Sequence, residues 1–214
     1  MTTPTPGIAS TVPGAGAPSS DPAVDLLWIP LGAGGHVVAS CGRVFERLSA
    51  WRHRRHPRPI YHAALEVTVS GARYVIEMGP VWTETDRDRG VVVEGPVGIA
   101  PLGRWRAFRY EVRCWPGGRI PDRAWAEADV RVSDDDECTA AVLAAVRTVP
   151  ALTWGRDQLG LGDMWNSNSL VAWLVSGIGL GASGLAPPQR GRAPGWSAGL
   201  ALAERQRERA GGRR

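Results

Sequence analysis

The segment Met164-Trp165-Asn166-Ser167-Asn168-Ser169-Leu170-Val171-Ala172-Trp173-Leu174 sets four small polar residues between a tryptophan and an apolar run with helical spacing. Asn and Ser are strong helix N-caps, because a side-chain oxygen there accepts the free N–H groups of the first turn. Capping alone accounts for this composition. The same geometry also suits chemistry: a hydroxyl at a helix N-terminus sits at the positive end of the dipole, which favours an anionic nucleophile and the oxyanion that follows attack. Nucleophilic catalysis then needs a general base within hydrogen-bond reach and a group to orient it. His62 is the one histidine inside expected regular structure, on the polar face of a strand, and Glu77 is the acid on the neighbouring strand. Ser167, His62 and Glu77 are therefore a candidate catalytic set, provided the fold brings them together. Backbone N–H groups at the start of the 167 helix would hold the oxyanion. Trp165, Asn166 and Asp157 are candidates for substrate binding, since an apolar wall with a polar floor suits a ligand.

The elements that must position these groups follow from periodicity. Asp25 to Pro30 is a short apolar segment, and Gly32 to His36 a turn leading to a strand at Val37 to Ala39. The turn lacks the Gly-Lys-Ser/Thr ending of a phosphate loop. Arg43 to Arg52 reads as an amphipathic helix, with Val44, Leu48 and Trp51 inward and Arg43, Glu46 and Arg47 outward; Pro57 and Pro59 end it. Tyr61 to Val69 alternates, with Tyr61, Ala63, Leu65, Val67 and Val69 on one side and His62, Ala64, Glu66 and Thr68 on the other. Ser70-Gly71 makes a hairpin turn and Arg73 to Met78 returns. Val91 to Glu94 and Arg106 to Trp115 are further strands; in the latter, Arg109, Glu111 and Arg113 mark a wetter face. Asp134 to Glu137 open a helix with Val142, Leu143 and Val146 as its stripe, the acids favouring its dipole. The last core helix starts near Ser167 and buries Leu170, Val171, Leu174, Val175 and Ile178; Ser197 to Arg207 forms a terminal helix.

A chain of 214 residues, 43% hydrophobic and 21% charged, suits one globular domain with tails: a leader over 1–22, a single α+β domain over 23–200 and a basic tail over 201–214. All 25 basic residues are arginine, as GC-rich codon usage produces, and the formal charge of +4 owes much to the last dozen residues. The densest basic run, Arg52-His53-Arg54-Arg55-His56, is short and on no nucleic-acid module, so no nucleic-acid partner is expected. Cys41, Cys114 and Cys138 show no CxxC spacing, which argues against a disulfide framework or zinc site; no metal and no cofactor are expected. Leu170 to Ala186 is uncharged but short for a membrane span and interrupted by glycines. With no apolar signal segment in the leader, a cytoplasmic, reducing setting is expected.

The order of a His strand, a polar residue on the next strand and an Asn-led helix near the C-terminus resembles the circularly permuted papain-like fold, which includes lecithin:retinol acyltransferase relatives and NlpC-like amidases and peptidases. Their helix motif, Asn-Cys-x-x-Phe-Val, is similar to Asn166-Ser167-Asn168-Ser169-Leu170-Val171; their strand motifs are similar to Tyr61-His62-Ala63-Ala64-Leu65-Glu66-Val67 and Tyr74-Val75-Ile76-Glu77. The resemblance covers roughly residues 60 to 180. The chain as a whole also resembles a bacterial family sharing the Trp-Asn-Ser-Asn-Ser segment. It implies an antiparallel sheet with packed helices, and amide or ester acyl hydrolysis or transfer on a small-molecule, peptide or acyl substrate. Ser167 stands where the family has its cysteine. A hydroxyl needs more help from its base than a thiol does. Two outcomes follow: a serine-based acyl hydrolase or transferase, or a catalytically inactive binding domain on the same scaffold.

Overall fold

The structure is a computed structural model that describes residues 21–32, 44, 46–81 and 88–212. The expected strand at Val37 to Ala39, His36, Cys41 and the leader up to residue 20 lie outside the described residues.

The first strand, β1 (Ala23–Pro30), is AVDLLWIP. Its apolar residues do not alternate because both of its faces are covered: Leu26 and Trp28 join the larger core, Leu27 and Ile29 a smaller one behind the sheet. Helix α1 is described over residues 46–52. The strands β2 (Tyr61–Val69) and β3 (Ala72–Pro80) form the expected hairpin, and β4 (Val91–Pro96), β5 (Arg109–Pro116) and β6 (Ala128–Ser133) complete one sheet. Its order is β4-β5-β3-β2-β1-β6, with every neighbouring pair antiparallel. Helices α2 (Asp136–Ala145), α3 (Ser167–Gly177) and α4 (Trp196–Gly211) follow. The protein is α+β, an antiparallel sheet with packed helices.

One expected strand boundary shifts, and one strand was not expected. Residues 106–108 form a short 3-10 turn, so β5 starts at Arg109. The edge strand β6 escaped the sequence reading, although Val130 and Val132, packed on the main core, alternate with Asp129 and Arg131. Its outer charges pair with Arg123 and Asp25, which blunts the open edge.

Helix α3 is buried from Ser167 through Ser176. It packs on β2 through the face bearing Tyr61, Ala63 and Leu65 and is flanked by α4. A Cβ on Gly199 would collide with the Ser169 carbonyl, so glycine sets the close approach of α4 to α3. The terminal helix expected at Ser197 to Arg207 is present as α4 and runs on to Gly211, through residues also assigned to the basic tail: Ala203 is buried and Trp173 Nε1 donates to Gln206 Oε1 at 2.7 Å. Among the described residues no helix is long and apolar enough to cross a membrane; the uncharged stretch after Leu170 is α3 and a glycine-rich loop.

One expected orientation is reversed. In α1, Glu46 and Ala50 face inward while Val44, Leu48 and Trp51 are exposed. The inward pull is ionic: Glu46 is bonded by Arg55 and by Arg192 at 2.9 Å, and it accepts the Arg58 N–H at 2.9 Å. Burial works against the Glu46 carboxylate, but these bonds prevail and hold its pKa low.

Candidate functional site

The strand registers bring several connections to one end of the sheet. Pro30 lies beside Tyr61, Pro80 beside Tyr110, Pro96 beside Arg109, and Trp28 beside Ala128. The start of α3 sits at this end, tied to β2 by Asn168 Nδ2, which donates to Tyr61 O at 3.0 Å.

Asn166 is the N-cap of α3. Its Oδ1 accepts from Asn168 N (2.9 Å) and Ser169 N (3.2 Å), and Ser169 Oγ accepts from Asn166 N at 3.1 Å, closing a capping box. Asn166 Nδ2 and Asn168 Nδ2 both donate to Pro194 O, at 2.8 and 2.9 Å. Asp163 holds the start of α4: its Oδ1 accepts from Gly195 N at 2.7 Å and its Oδ2 from Ser197 Oγ at 2.5 Å. Gly195 has φ +91, and a Cβ there would run into the Asn166 amide. The segment read as a possible nucleophile loop is thus a knot joining two helix starts and a strand.

Ser167 is the first residue of α3, 6% exposed, and no described residue bonds its hydroxyl. Of the N–H groups expected to form the oxyanion hole, those of Asn168 and Ser169 are already taken by Asn166. His62 alternates with Tyr61 and Ala63, which face α3, so it points to the opposite side of the sheet. It sits there under the 117–127 connection, where burial lowers its pKa and the Asp122 carboxylate opposes that. Glu77 shares that opposite face, with Val75 in the smaller core, and is paired with Arg113 at 2.9 Å. The structure therefore does not assemble Ser167 with His62 and Glu77; a layer of backbone separates them. Trp165 is core, 1% exposed, rather than a cleft wall, and Asn166 is spent as a cap.

The face expected to be wet is not. Glu111 is fully buried and Arg113 is 1% exposed. Arg113 donates to Glu77, to Glu111 at 3.1 Å and to Pro80 O at 3.1 Å, and Arg89 closes on Glu111 at 2.6 Å. Burial raises the Glu111 pKa, but the Arg89 and Arg113 bonds outweigh it and the net shift is down. Alternation marks two faces without saying whether a connection covers the second.

A cleft of about 480 Å³ opens in front of the knot, walled by Leu48, Ser49, Arg52 and His53, by Gly155, Asp157, Gly162, Asp163 and Met164, and by Arg192 and Pro194. A larger depression of about 710 Å³ is lined by one short stretch, Ala50 to His56, and is open surface rather than an enclosing site. The acids of the cleft are committed elsewhere. Asp157 accepts from Leu161 N (2.9 Å) and Gly162 N (2.7 Å), bonds that lower its pKa, and Asp163 holds α4. Arg192 is held by Glu46 and Ser49. Arg52 and His53 are exposed, with no ion pair or hydrogen bond from their side chains to a described residue. Sequence reasoning marked these two only as a basic run, and missed Asp163 and Arg192, whose partners lie far away along the chain. Among the described residues no group of three His, Cys, Asp or Glu side chains is placed to hold a metal. No family model, no curated protein and no solved structure matches the chain.

Proposed function

We propose that this protein is a binding domain whose ligand is a small anion, a carboxylate or a phosphate, taken into the cleft between α1 and the 155–164 loop. In this proposal the order of its motifs resembles the permuted papain-like group, but hydrolytic chemistry is not assembled on them. The observation that carries the proposal is the partition of the candidate triad, with Ser167 on the helix side of the sheet and His62 and Glu77 behind it. Charge supports the anion: the cleft's carboxylates are bonded to backbone N–H groups, while Arg52 and His53 are free to meet a ligand.

Titration with inorganic phosphate and with succinate, followed by amide NMR, tests this. Shifts centred on residues 52–53 and 155–163, lost in Arg52→Gln/His53→Gln, are expected. A neutral diamide of the same length should give none. Labelling of folded protein by a fluorophosphonate probe, abolished by Ser167→Ala, would overturn the proposal in favour of a serine hydrolase.

A further inference from the structure

Among the described residues the exposed large apolar side chains are not scattered. Val44, Leu48, Trp51, Ile99, Trp105, Phe108 and Trp125 are exposed, and of the described residues only Val91 joins them from elsewhere. By the strand registers, the connections holding these seven meet the same end of the sheet: 31–60 joins β1 to β2, 97–108 joins β4 to β5, and Trp125 lies where the 117–127 connection arrives at β6. The loop behind the cleft links them, since Arg156 bonds Gly98 O while Gly155 and Asp157 face Leu48 and Arg52. A concentration of this kind marks an interaction surface.

Helix α1 shows what the surface fits. At 100° per residue, Val44, Leu48 and Trp51 form one stripe, Arg47 and Arg52 border it on either side, and the exposed Arg54 follows in the turn, its N–H donating to Trp51 O at 3.1 Å. Trp51 is 81% exposed. Residues 46–58 carry five arginines against the single acid Glu46, which is consumed by Arg55 and Arg192. The second patch repeats the pattern, with Arg104 4.1 Å over the Trp105 ring and Glu94 paired with Arg109. An apolar stripe bearing a tryptophan and bordered by arginines suits the interface of an anionic bilayer, where the apolar side enters the acyl boundary and the cations meet headgroups. Val44 and Leu48 offer nothing to stack on bases, which disfavours a nucleic acid.

We propose that this end of the sheet docks on an anionic lipid surface, with Val44, Leu48 and Trp51 inserted and Arg47 and Arg54 at the headgroups. This goes beyond the anion cleft and stands without it. The test uses the full chain with sedimenting vesicles of phosphatidylcholine alone and of phosphatidylcholine with phosphatidylserine. Binding is expected only to the second, weakening as salt rises. Leu48→Ser/Trp51→Ser should lower the partition coefficient at least about tenfold, and Arg47→Gln/Arg54→Gln by about tenfold or more. Both pairs are exposed, so circular dichroism should be unchanged, and the phosphate titration of the cleft should persist in Arg47→Gln/Arg54→Gln, whose residues lie outside the cleft wall. Absence of binding to either vesicle overturns the proposal, as does binding that Leu48→Ser/Trp51→Ser leaves intact. Self-association without lipid that these changes abolish would assign the face to a second copy of the chain, and retention of RNA in place of vesicles would assign it to nucleic acid.

Discussion

Two polar clusters lie within this small domain, one on each side of the sheet, and they are built on different principles. The knot at the start of α3 is made mostly of neutral amides and hydroxyls, with one carboxylate, and its partners are largely main-chain groups. The cluster behind the sheet is ionic, with Arg113 between Glu77 and Glu111 and Arg89 beyond. The first satisfies helix ends that would otherwise be orphaned, and can be weakened one bond at a time. The second is an all-or-nothing arrangement, since removing one charge leaves another buried and unpaired. The residues that together resemble a catalytic triad are divided between the two sides of the sheet, Ser167 on one and His62 and Glu77 on the other.

The contrast can be broken most forcefully behind the sheet. Arg113→Met should cost about 3–5 kcal/mol, because two buried carboxylates lose their shared cation; chemical denaturation measures it, and a loss under 1 kcal/mol would mean the cluster is wetter than described. Glu111 sets the acid side. Its folded pKa lies below the unfolded value, so its contribution is present above about pH 4.3 and drains away as pH falls through the folded pKa. Glu111→Gln should flatten that part of the stability profile.

On the helix side the costs are smaller. Asn166→Ala should destabilise by about 2 kcal/mol, the upper range for an N-cap, since the amide serves two N–H groups and a carbonyl. The sharpest comparison is between neighbours. Ser169 lies 2.7 Å from Gly195 O and 2.9 Å from Met164 O and takes the Asn166 N–H, so Ser169→Ala should cost about 1–2 kcal/mol. Ser167→Ala should stay within about 0.5 kcal/mol. Equal losses at both serines would show that Ser167 has a partner in the folded state.

His62 adds a separate test in the neutral range. Burial holds its folded pKa below about 6.5, so the folded state resists protonation and stability falls as pH drops from that value towards the folded pKa. His62→Gln should remove this slope below about pH 6.5. A slope of the opposite sign would place the Asp122 carboxylate in command of the imidazole.

Much of the architecture was legible because it rests on local pattern. The hairpin at Ser70-Gly71, the acidic opening of α2 and the start of α3 at Ser167 follow from turn chemistry and caps that act within a few residues. What escaped depends on remote partners. Apolar periodicity gave α1 the wrong inward face, because Arg192, far along the chain, draws Glu46 in. Alternation put His62 and Ser167 within the same imagined site because it assigns strand faces without saying which face a distant helix covers. Asp163 carried no local signal at all, since its partners Gly195 and Ser197 belong to the next helix.

The position of β1 has a consequence for how the chain acquires its structure. This strand comes first in sequence yet lies inside the sheet, and its far neighbour β6 brings together residues 106 apart, as in the pair Asp25 and Arg131. A ribosome must finish β6 before β1 can be enclosed on both edges. Until then β1 can pair only with β2, leaving an apolar strand with an open side during synthesis. Closing so long a loop is slow, because entropy is lost before the contact repays it. Folding should therefore be limited by the docking of β6, and chains truncated before Ala128 should be prone to pairing with one another along that open side.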